Sequence, residues 1–428
     1  MIDFIEKKNY EIKRGYSDSI LKTVSAFANY DGGRIIIGID ERKKEVVGVK
    51  DYIDSKLTIE NKINDTIVPR PDYAINVIEI DNSHLIEIVV YPSDSQPYLY
   101  KGIAYQRKDT STIPVDQMSL IELSLKGKNI TYDQKKVDKN ILSFKALERK
   151  LMDVRPISEF NEDTLITLGL KVNGGYIVAS ELFADENSIS SSGIDMVKFG
   201  SDISTFVDRV TISQRSILIL YEEAIKMLLK HYPEIEKVVG FERKKVYPIP
   251  YEAFREVIAN AIAHRNYLIN AYIKVEMYDN RIEVISPGGL PKGISKENFL
   301  NDNLSIPRNN VISSVLYNLS IIEKFGTGIR RINREYVKFD KKPYFYIKDN
   351  LIKVILPNVL FNDENMKVEV RLKNFIDIKP EFTRDEIEKH LGINKNHAVD
   401  LLNNLIKEQR IMKEGNGPNT SYVKKSDF

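Results

Sequence analysis

The 428-residue sequence contains no cysteine, no tryptophan and no apolar run long enough to span a bilayer. The absence of cysteine excludes disulfides, thiolate metal sites and a cysteine nucleophile, and it favours a reducing compartment such as the cytoplasm. A membrane-spanning helix needs roughly 18 consecutive apolar residues, so we expect no membrane insertion. Basic and acidic residues nearly cancel, 63 against 61. Binding to nucleic acid therefore has to come from local patches rather than from overall charge.

The residues that are present are typical of a globular protein with several domains. Hydrophobic residues make up 42% and charged residues 29%, and a chain of this length predicts about three domains. The patterns predict a mixed α/β and α+β multidomain protein. Helix and strand signals alternate over residues 1–125, a second block covers 137–360, and a third covers 368–428. In the second block, YIVASELFA follows a Gly-Gly turn and is predicted to be a strand.

A row of polar residues interrupts an otherwise apolar helix in EVIANAIAHRNY, residues 256–267. Glu256, Asn260 and His264 recur every four residues, which places a carboxylate, an amide and an imidazole on one helix face. Two explanations stay open at this point. The row can be a buried polar ladder that satisfies a neighbouring loop, or it can be a metal and phosphate site.

The motifs that follow this helix give it a family context. EVIANA, IEVISPGGLP and KFGTGIRRI occur in that order, and the set resembles the GHKL ATP-binding fold of DNA gyrase, MutL and histidine kinases. With HRNY and PRNNVI, it is similar to the divergent GHKL-type domain of predicted ATP-binding transcriptional regulators. The resemblance implies an α/β sandwich that binds ATP and Mg²⁺, with Asn260 as a metal ligand and Glu256 as the general base.

Glycines in the two later motifs complete the implied cofactor site. Without a Cβ atom, such residues let backbone N–H groups approach phosphates closely. The implied positions are Gly288, Gly289, Gly326 and Gly328. The first of these turns departs from the GHKL pattern, because residues 286–291 contain no Asp to read the adenine amino group. A GHKL-shaped scaffold that has lost its nucleotide therefore stays open as an alternative.

The N-terminal segment carries a second resemblance. YEIKRGYSDSILKTVSAFANYDGGRIIIGID and the later YPSDSQPYLYKGIAYQRKDTST resemble the AlbA-like domain of the Schlafen family, an α/β domain. The resemblance implies nucleic-acid binding, with Lys13 and Arg14 beside the phosphates. It also implies a nuclease alternative, in which three carboxylates hold Mg²⁺ or Mn²⁺ and activate water: Glu6, Glu11 and Asp40. The residues alone equally allow Glu11 to pair with Lys13 or Arg14 on the surface while Asp40 caps a turn.

The last segment, FTRDEIEKHLGINKNHAVDLLNNLIKEQRIMKEGNGPNTSYV, predicts a winged helix-turn-helix. Its second helix would enter a DNA groove with Lys395 and Asn396 at its N-terminus, while Lys413 in the wing would lie against phosphates. Winged helices also serve as protein-interaction or dimerisation modules, so that alternative stays open.

Together these segments predict a nucleic-acid-binding regulator of transcription whose DNA binding is coupled to ATP. Two alternatives come from other classes of protein. One is a metal-dependent Schlafen-like endonuclease acting on RNA or single-stranded DNA, and the other is a non-enzymatic assembly module. A winged helix near the end of the chain also favours a homodimer.

Overall fold

The computed structural model divides the chain into two compact units, Met1–Thr131 and Tyr132–Phe428. The residues that it describes are 4–155, 159–200, 204–239, 241–291, 294–301, 306–323, 327–415, 417 and 420–425. Both units combine helices with sheets, which confirms the predicted mixed α/β multidomain architecture. No helix in the described ranges is both long enough and apolar enough to cross a membrane.

The first unit is built around two four-stranded sheets. The strands of one sheet are, in spatial order, Tyr10–Lys13, Gly33–Ile37, Ser83–Val90 and Tyr73–Ile80, and only the first pair is parallel. The strands of the other are Ser111–Pro114, Ile103–Lys108, Leu99–Tyr100 and Ile67–Val68, all antiparallel. A short pair joins Ile39–Asp40 to Glu45–Val46. The helices are Ser19–Asn29, Tyr52–Thr66 and Gln117–Gly127.

A single helix, Ser19–Asn29, forms the centre of this unit because nine of its eleven residues are buried. Its polar residue Asn29 is fully buried and exchanges hydrogen bonds with the backbone of Tyr98. A buried amide has to be satisfied in this way. The pairing fixes the loop before Leu99–Tyr100 against the helix.

The second unit has a six-stranded sheet. Its strands are, in spatial order, Phe206–Ser213, Gly193–Phe199, Ile273–Tyr278, Arg281–Pro287, Leu351–Pro357 and Tyr344–Lys348. The second and third strands are parallel and the other neighbours are antiparallel. Two small hairpins pair Lys171–Val172 with Gly175–Tyr176 and Ile235–Val239 with Glu242–Val246.

Helices surround this sheet, and all of them except Lys296–Asn301, which has no buried residue, share one large apolar core with it. They are Lys145–Val154, Glu162–Thr167, Val178–Phe183, Ile217–His231, Tyr251–His264, Lys296–Asn301, Asn310–Asn318 and Gly328–Glu335, and Tyr132–Gln134 forms a 3₁₀ turn. The helix Tyr251–His264 contains the polar row found in the sequence, and we call it the ladder helix. Nine of its fourteen residues are buried.

One segment differs from its prediction. YIVASELFA was predicted to be a strand, whereas residues Val178–Phe183 form a helix in which every residue is buried. A continuous apolar run shows no periodicity, so a buried helix cannot be told from a buried strand by pattern alone. The Ser180 hydroxyl accepts a hydrogen bond from the Ile177 N–H at 3.0 Å, which caps the start of the helix.

Residues 368–425 form a C-terminal module with a core of its own. Its helices are Val368–Ile378, Arg384–Leu391 and Lys395–Lys407. Its antiparallel sheet has the order Glu381–Phe382, Ser421–Lys424 and Ile411–Glu414. Thr383 and Glu386 form a capping box and Gly392 ends the same helix with a left-handed φ of 68°. These are the start and stop signals that the sequence carries.

A buried group of charges attaches this module to the six-stranded sheet. Arg281 contacts Glu283 at 2.7 Å and Asp377 of the module at 3.4 Å, and all three side chains are less than 10% exposed. Lys353 reaches Glu283 at 2.6 Å, and Lys424 reaches Asp377 at 2.5 Å. Each buried carboxylate therefore has two cationic partners, which offsets the cost of removing its charge from water.

We expect Arg281→Ala to lower the free energy of unfolding of the second unit by roughly 3–5 kcal/mol, because it leaves two buried carboxylates short of a partner. Arg209→Ala is the matched control, because Arg209 pairs with Asp195 on the surface at 57% exposure. That change should cost less than about 1 kcal/mol. Urea denaturation followed by circular dichroism measures both. Equal effects of the two substitutions would contradict a supporting role for the buried group.

Candidate functional site

A cavity of about 560 Å³ opens beside the ladder helix. Its walls come from that helix, from the helices Asn310–Asn318 and Gly328–Glu335, and from strands of the six-stranded sheet. Apolar side chains supply much of the lining: Val257, Leu290, Ile294, Ile332, Phe345, Ile352 and Val354. We call this space the central cavity. Its size is within the range of about 300–1,000 Å³ typical of small-molecule and cofactor sites.

The three polar members of the ladder helix all line the central cavity. Asn260 Nδ2 donates a hydrogen bond to Glu256 Oε1 at 3.0 Å. Because a carboxylate oxygen only accepts hydrogen bonds, this contact assigns the NH₂ group to the Glu256 side and leaves Asn260 Oδ1 as an acceptor. The structure therefore shows that the row of polar residues faces a cavity. A metal and phosphate site at this row stays a prediction.

Glu256 is buried and held on both oxygens. Arg331 Nη1, from the helix Gly328–Glu335, reaches Oε2 at 3.2 Å and also contacts Glu323 at 3.3 Å. Burial raises the pKa of the Glu256 carboxyl, while the Arg331 charge and the Asn260 hydrogen bond oppose this rise. A carboxylate whose pKa is raised towards neutrality is better suited to accept a proton than an exposed one. The Arg331 charge favours the ionised form of Glu256 and holds the carboxylate in place.

Gly328 is the point of closest approach to this pair. A Cβ atom at Gly328 would lie 2.6 Å from Glu256 Oε1 and 2.8 Å from Asn260 Nδ2. Any other residue would push the two side chains out of position, so glycine is required by space as well as by the motif. Gly326, the other glycine of the G-x-G, lies outside the described residues.

The glycines of residues 286–291 have a different environment. The N–H groups of Gly288 and Gly289 donate to the carbonyls of Asn350 and Asp349 at 2.8 and 3.2 Å. Gly289 lines the central cavity. Both N–H groups are nevertheless bonded to the turn that joins the strands Tyr344–Lys348 and Leu351–Pro357. Their predicted role at phosphates stays a prediction, and the geometry gives them a structural role.

The PRNN run ties this turn to the end of the ladder helix. Arg308 donates to the carbonyls of His264 and Gly289 at 3.3 and 3.0 Å. Asn309 is fully buried and donates to the carbonyls of Ala263 and Arg265 at 2.9 and 3.0 Å. The last carbonyls of a helix have no intrahelical partner. The two side chains therefore cap the helix and fix the cavity wall at the same time.

Several cavity residues were not singled out from the sequence. Arg331 stands in the quoted motif KFGTGIRRI, and its position three residues after Gly328 on a helix was a usable signal. Ser313 lines the cavity, and its buried Oγ has no hydrogen-bond partner among the described residues. No pattern marked Ser313, because a serine in a short helix has no specific signature.

These features fit ATP with Mg²⁺. Asn260 Oδ1 offers one hard oxygen ligand, and Mg²⁺ commonly takes its remaining ligands from water and substrate phosphates. The missing Cβ at Gly328 leaves room beside the Asn260 amide nitrogen and Glu256 Oε1. The unpaired Ser313 Oγ offers a polar contact that the protein itself does not satisfy. Apolar walls opposite suit a planar base.

In the first unit, the predicted carboxylates are joined by a lysine. Lys13 Nζ lies 3.0 Å from an oxygen of Glu6 and 3.0 Å from one of Glu11. Arg107 approaches the other Glu11 oxygen at 2.6 Å, and Thr23 donates to it at 2.8 Å. Burial lowers the pKa of Lys13, but the Glu11 and Glu6 carboxylates outweigh it and raise that pKa overall. Lys13 is therefore a paired cation rather than a free phosphate contact.

Asp40 has other partners, the Arg14 side chain at 3.7 Å and the Lys43 N–H at 3.2 Å. Within the described residues, no three His, Cys, Asp or Glu side chains are grouped so as to hold a metal ion. The structure thus does not bring Glu6, Glu11 and Asp40 together as the nuclease alternative requires, because Lys13 lies between two of them. Metal-dependent cleavage stays a prediction that this geometry does not favour.

The predicted DNA contacts of the C-terminal module are accessible. Lys395 and Asn396 are exposed at the start of their helix, and Lys413 is exposed on the strand Ile411–Glu414. The side chain of Asn394 caps the helix by accepting from His397 N–H at 3.0 Å. The module attaches to the sheet through Asp377, which pairs with Arg281, so these exposed residues lie on other elements.

We expect Gly328→Ala to lower the free energy of unfolding by about 1–3 kcal/mol, because the new methyl group overlaps Glu256 and Asn260. At an open helical site, Ala would instead be more stable than Gly by up to about 1 kcal/mol. The sign of the change therefore tests the close approach. Gly175→Ala is the control, since a Cβ there meets only the Val172 carbonyl at 3.8 Å. Chemical denaturation of both variants measures the difference.

Comparisons with known proteins place two segments of the chain. Residues 2–116 match the family described as "Schlafen, AlbA_2". Residues 270–356 match the family described as "Putative ATP-dependent DNA helicase recG C-terminal". The first segment contains Lys13 and its charged neighbours Glu6, Glu11 and Arg107. The second contains the glycine turn of residues 286–291, Gly328 and Arg331.

Two solved structures are also similar. The DIP2311 protein of Corynebacterium diphtheriae is 19% identical over 98% of this chain and 92% of that chain, with a TM-score of 0.48. The N-terminal domain of a RecG-related protein from Nitrosomonas europaea is 24% identical over 25% of this chain and 82% of that chain, with a TM-score of 0.21. On the family matches, the chain carries a Schlafen AlbA_2 domain followed by a domain of the RecG C-terminal type.

Proposed function

We propose that this protein is a nucleic-acid-binding regulator of transcription whose binding to DNA depends on ATP held with Mg²⁺ in the central cavity. The contact among Glu256, Asn260 and Gly328 on the cavity wall carries the proposal. The names of the two matched families, one of Schlafen AlbA type and one of a DNA helicase, support an association with nucleic acid and with ATP.

The ladder helix supplies the groups that ATP chemistry needs. Asn260 Oδ1 would hold Mg²⁺, which neutralises phosphate charge when it is bound. Glu256, with its raised pKa, would orient a water molecule and accept its proton. Arg331 holds Glu256 and is itself a cation beside the site where negative charge would develop. The apolar lining excludes bulk water from these groups.

Binding of ATP should raise the melting temperature, because a ligand that binds only the folded state stabilises it by mass action. We expect Asn260→Ala to remove this shift, since it deletes the cation ligand. Glu256→Gln should keep the shift but lower any ATP turnover by roughly 10²- to 10⁴-fold, since an amide cannot accept the proton. Differential scanning fluorimetry and a phosphate-release assay measure the two effects.

Glu252→Gln is the matched control for these variants. Glu252 lies one turn earlier on the same helix, pairs with Arg255 at 2.9 Å and does not line the central cavity. It should leave both the shift and the turnover at wild-type values. A wild-type protein with no shift at millimolar ATP, or an equal shift in Asn260→Ala, would remove the basis of the nucleotide assignment.

The C-terminal module provides the DNA-binding surface in this proposal. Its helix Lys395–Lys407 begins with exposed polar residues, and an exposed lysine, Lys413, lies on a neighbouring strand. Helix N-termini and wings of this type lie against the phosphates and base edges of duplex DNA. The strand Arg281–Pro287 starts in the charge group that holds the module and ends at the cavity wall. This shared strand supports a link between the two sites.

We expect Lys395→Ala and Lys413→Ala each to weaken binding to duplex DNA and to reduce the slope of log K against log salt by about 1, the contribution of one phosphate contact. Lys407→Ala is the control, because Lys407 is equally exposed but ends the same helix. Fluorescence anisotropy across a salt series, with and without ATP and Mg²⁺, gives the slopes. Unchanged slopes in both variants would favour the dimerisation alternative. Slopes and affinities that are the same with and without ATP would contradict the coupling of DNA binding to ATP.

A further inference from the structure

His264, the third polar residue of the row on the ladder helix, has no role in the function proposed above. His264 lines the central cavity together with Glu256 and Asn260. In the part of the chain that the structure describes, neither nitrogen of its imidazole is hydrogen-bonded, whereas its backbone carbonyl accepts from Arg308. A ring that faces a cavity without a partner is available to a ligand.

The position of His264 along the helix gives its distance from Asn260 and Glu256, where the phosphates are proposed to bind. An α-helix rises about 1.5 Å per residue, so successive ladder members stand about 6 Å apart along the axis. Asn260 and Glu256 lie at the end approached by Gly328. His264 therefore lies about 12 Å from Glu256 along the helix. A nucleotide whose phosphates reach Asn260 would extend its sugar and base in this direction.

The turn of residues 286–291 lies at the His264 end of the central cavity. Residues 286–291 are tied to the last turn of the helix by three contacts: Ser286 Oγ to the Ala261 carbonyl at 3.1 Å, Asn266 N–H to the Pro287 carbonyl at 2.8 Å, and the Arg308 bridge between His264 and Gly289. Leu290 and Pro291 of this turn line the cavity. The Ser286 hydroxyl already donates to the helix. This turn therefore presents apolar surface and few free donors to a base.

The protonation state of His264 decides what it can bind. Burial lowers the pKa of the imidazole to about 4, and the nearby Arg308 charge lowers it as well. The ring is therefore neutral at neutral pH, with one N–H donor and one acceptor nitrogen. A carboxylate would only accept. A neutral imidazole can pair with an amino edge or with a keto edge, according to its tautomer.

We propose that His264 contacts the nucleobase and lets the central cavity accept either purine triphosphate, an inference that rests on the nucleotide-binding function proposed above. Because the contact can be made in either sense, ATP and GTP bind with affinities that differ by less than about tenfold, the discrimination expected of a single hydrogen bond. His264 is thus the residue that contacts the base, while Asn260 and Glu256 serve the phosphate end.

The test compares three ligands in the presence of Mg²⁺: ATP, GTP and inorganic tripolyphosphate, which has no base. Isothermal titration calorimetry on the full chain gives Kd for each. We expect His264→Ala to weaken ATP and GTP by about 3- to 10-fold, the value of one lost hydrogen bond, and to leave tripolyphosphate unchanged. Asn260→Ala should weaken all three. His264→Asn, which keeps a donor and an acceptor, should restore most of the binding and also covers the case in which the Ala variant fails to fold.

His264→Asp supplies a second readout. A carboxylate only accepts, either from the 6-amino group of adenine or from the N1–H and 2-amino groups of guanine, so the ratio of ATP to GTP affinity should change several-fold if residue 264 faces the base. Loss of tripolyphosphate binding in His264→Ala would show a phosphate contact and overturn the proposal. Equal losses for ATP and GTP with an unchanged ratio in His264→Asp would show a sugar contact and also overturn it. If the wild-type chain binds none of the three ligands, the nucleotide function itself fails, which is a distinguishable result.

Discussion

The pairing of Glu256 is the constraint on which the central cavity depends. A carboxylate buried against an apolar helix face must be hydrogen-bonded and balanced by opposite charge, or it loses its ionisation. Asn260 satisfies one oxygen from the same helix, and Arg331 satisfies the other from the helix Gly328–Glu335. Gly328 lets that helix come close enough for Arg331 to reach. One buried charge thereby sets the distance between two helices and the shape of the space beside them.

The first unit also contains a buried carboxylate, Glu11, that has to be balanced by opposite charge. Glu11 is buried and takes partners from three places along the chain, Lys13, Thr23 and Arg107. With Glu6 added, two basic and two acidic side chains balance each other. A cluster without net charge gives little attraction to phosphates. Arg14, the residue after Lys13, is 74% exposed. The predicted phosphate contact of Lys13 stays a prediction, and its two carboxylate partners do not favour it.

The sequence carried enough information to predict features that are local or periodic. The four-residue spacing of Glu256, Asn260 and His264 predicted one helix face, and all three line the cavity. Features set by distant pairs were beyond such reasoning. Arg107 lies 96 residues from Glu11, and no spacing rule connects Arg281 to Asp377. The buried helix Val178–Phe183 was taken for a strand because a continuous apolar run has no period. The pairing of Lys13 is local, because Glu6 and Glu11 lie close to it in the chain, and the residues alone already allowed the Glu11 pair as an alternative.

The buried attachment of the C-terminal module has a consequence for ionic strength. Salt screens exposed charges over about 8–10 Å at physiological concentrations but acts much less on buried pairs. The Arg281 and Asp377 side chains are 7% and 9% exposed, whereas Lys395 and Lys413 are open to solvent. Raising the salt concentration would therefore weaken the proposed binding of a polyanion at the exposed lysines without detaching the module from the sheet. Deleting the module, in contrast, uncovers Arg281 and Glu283, so a truncated chain differs from the whole protein by more than a lost surface.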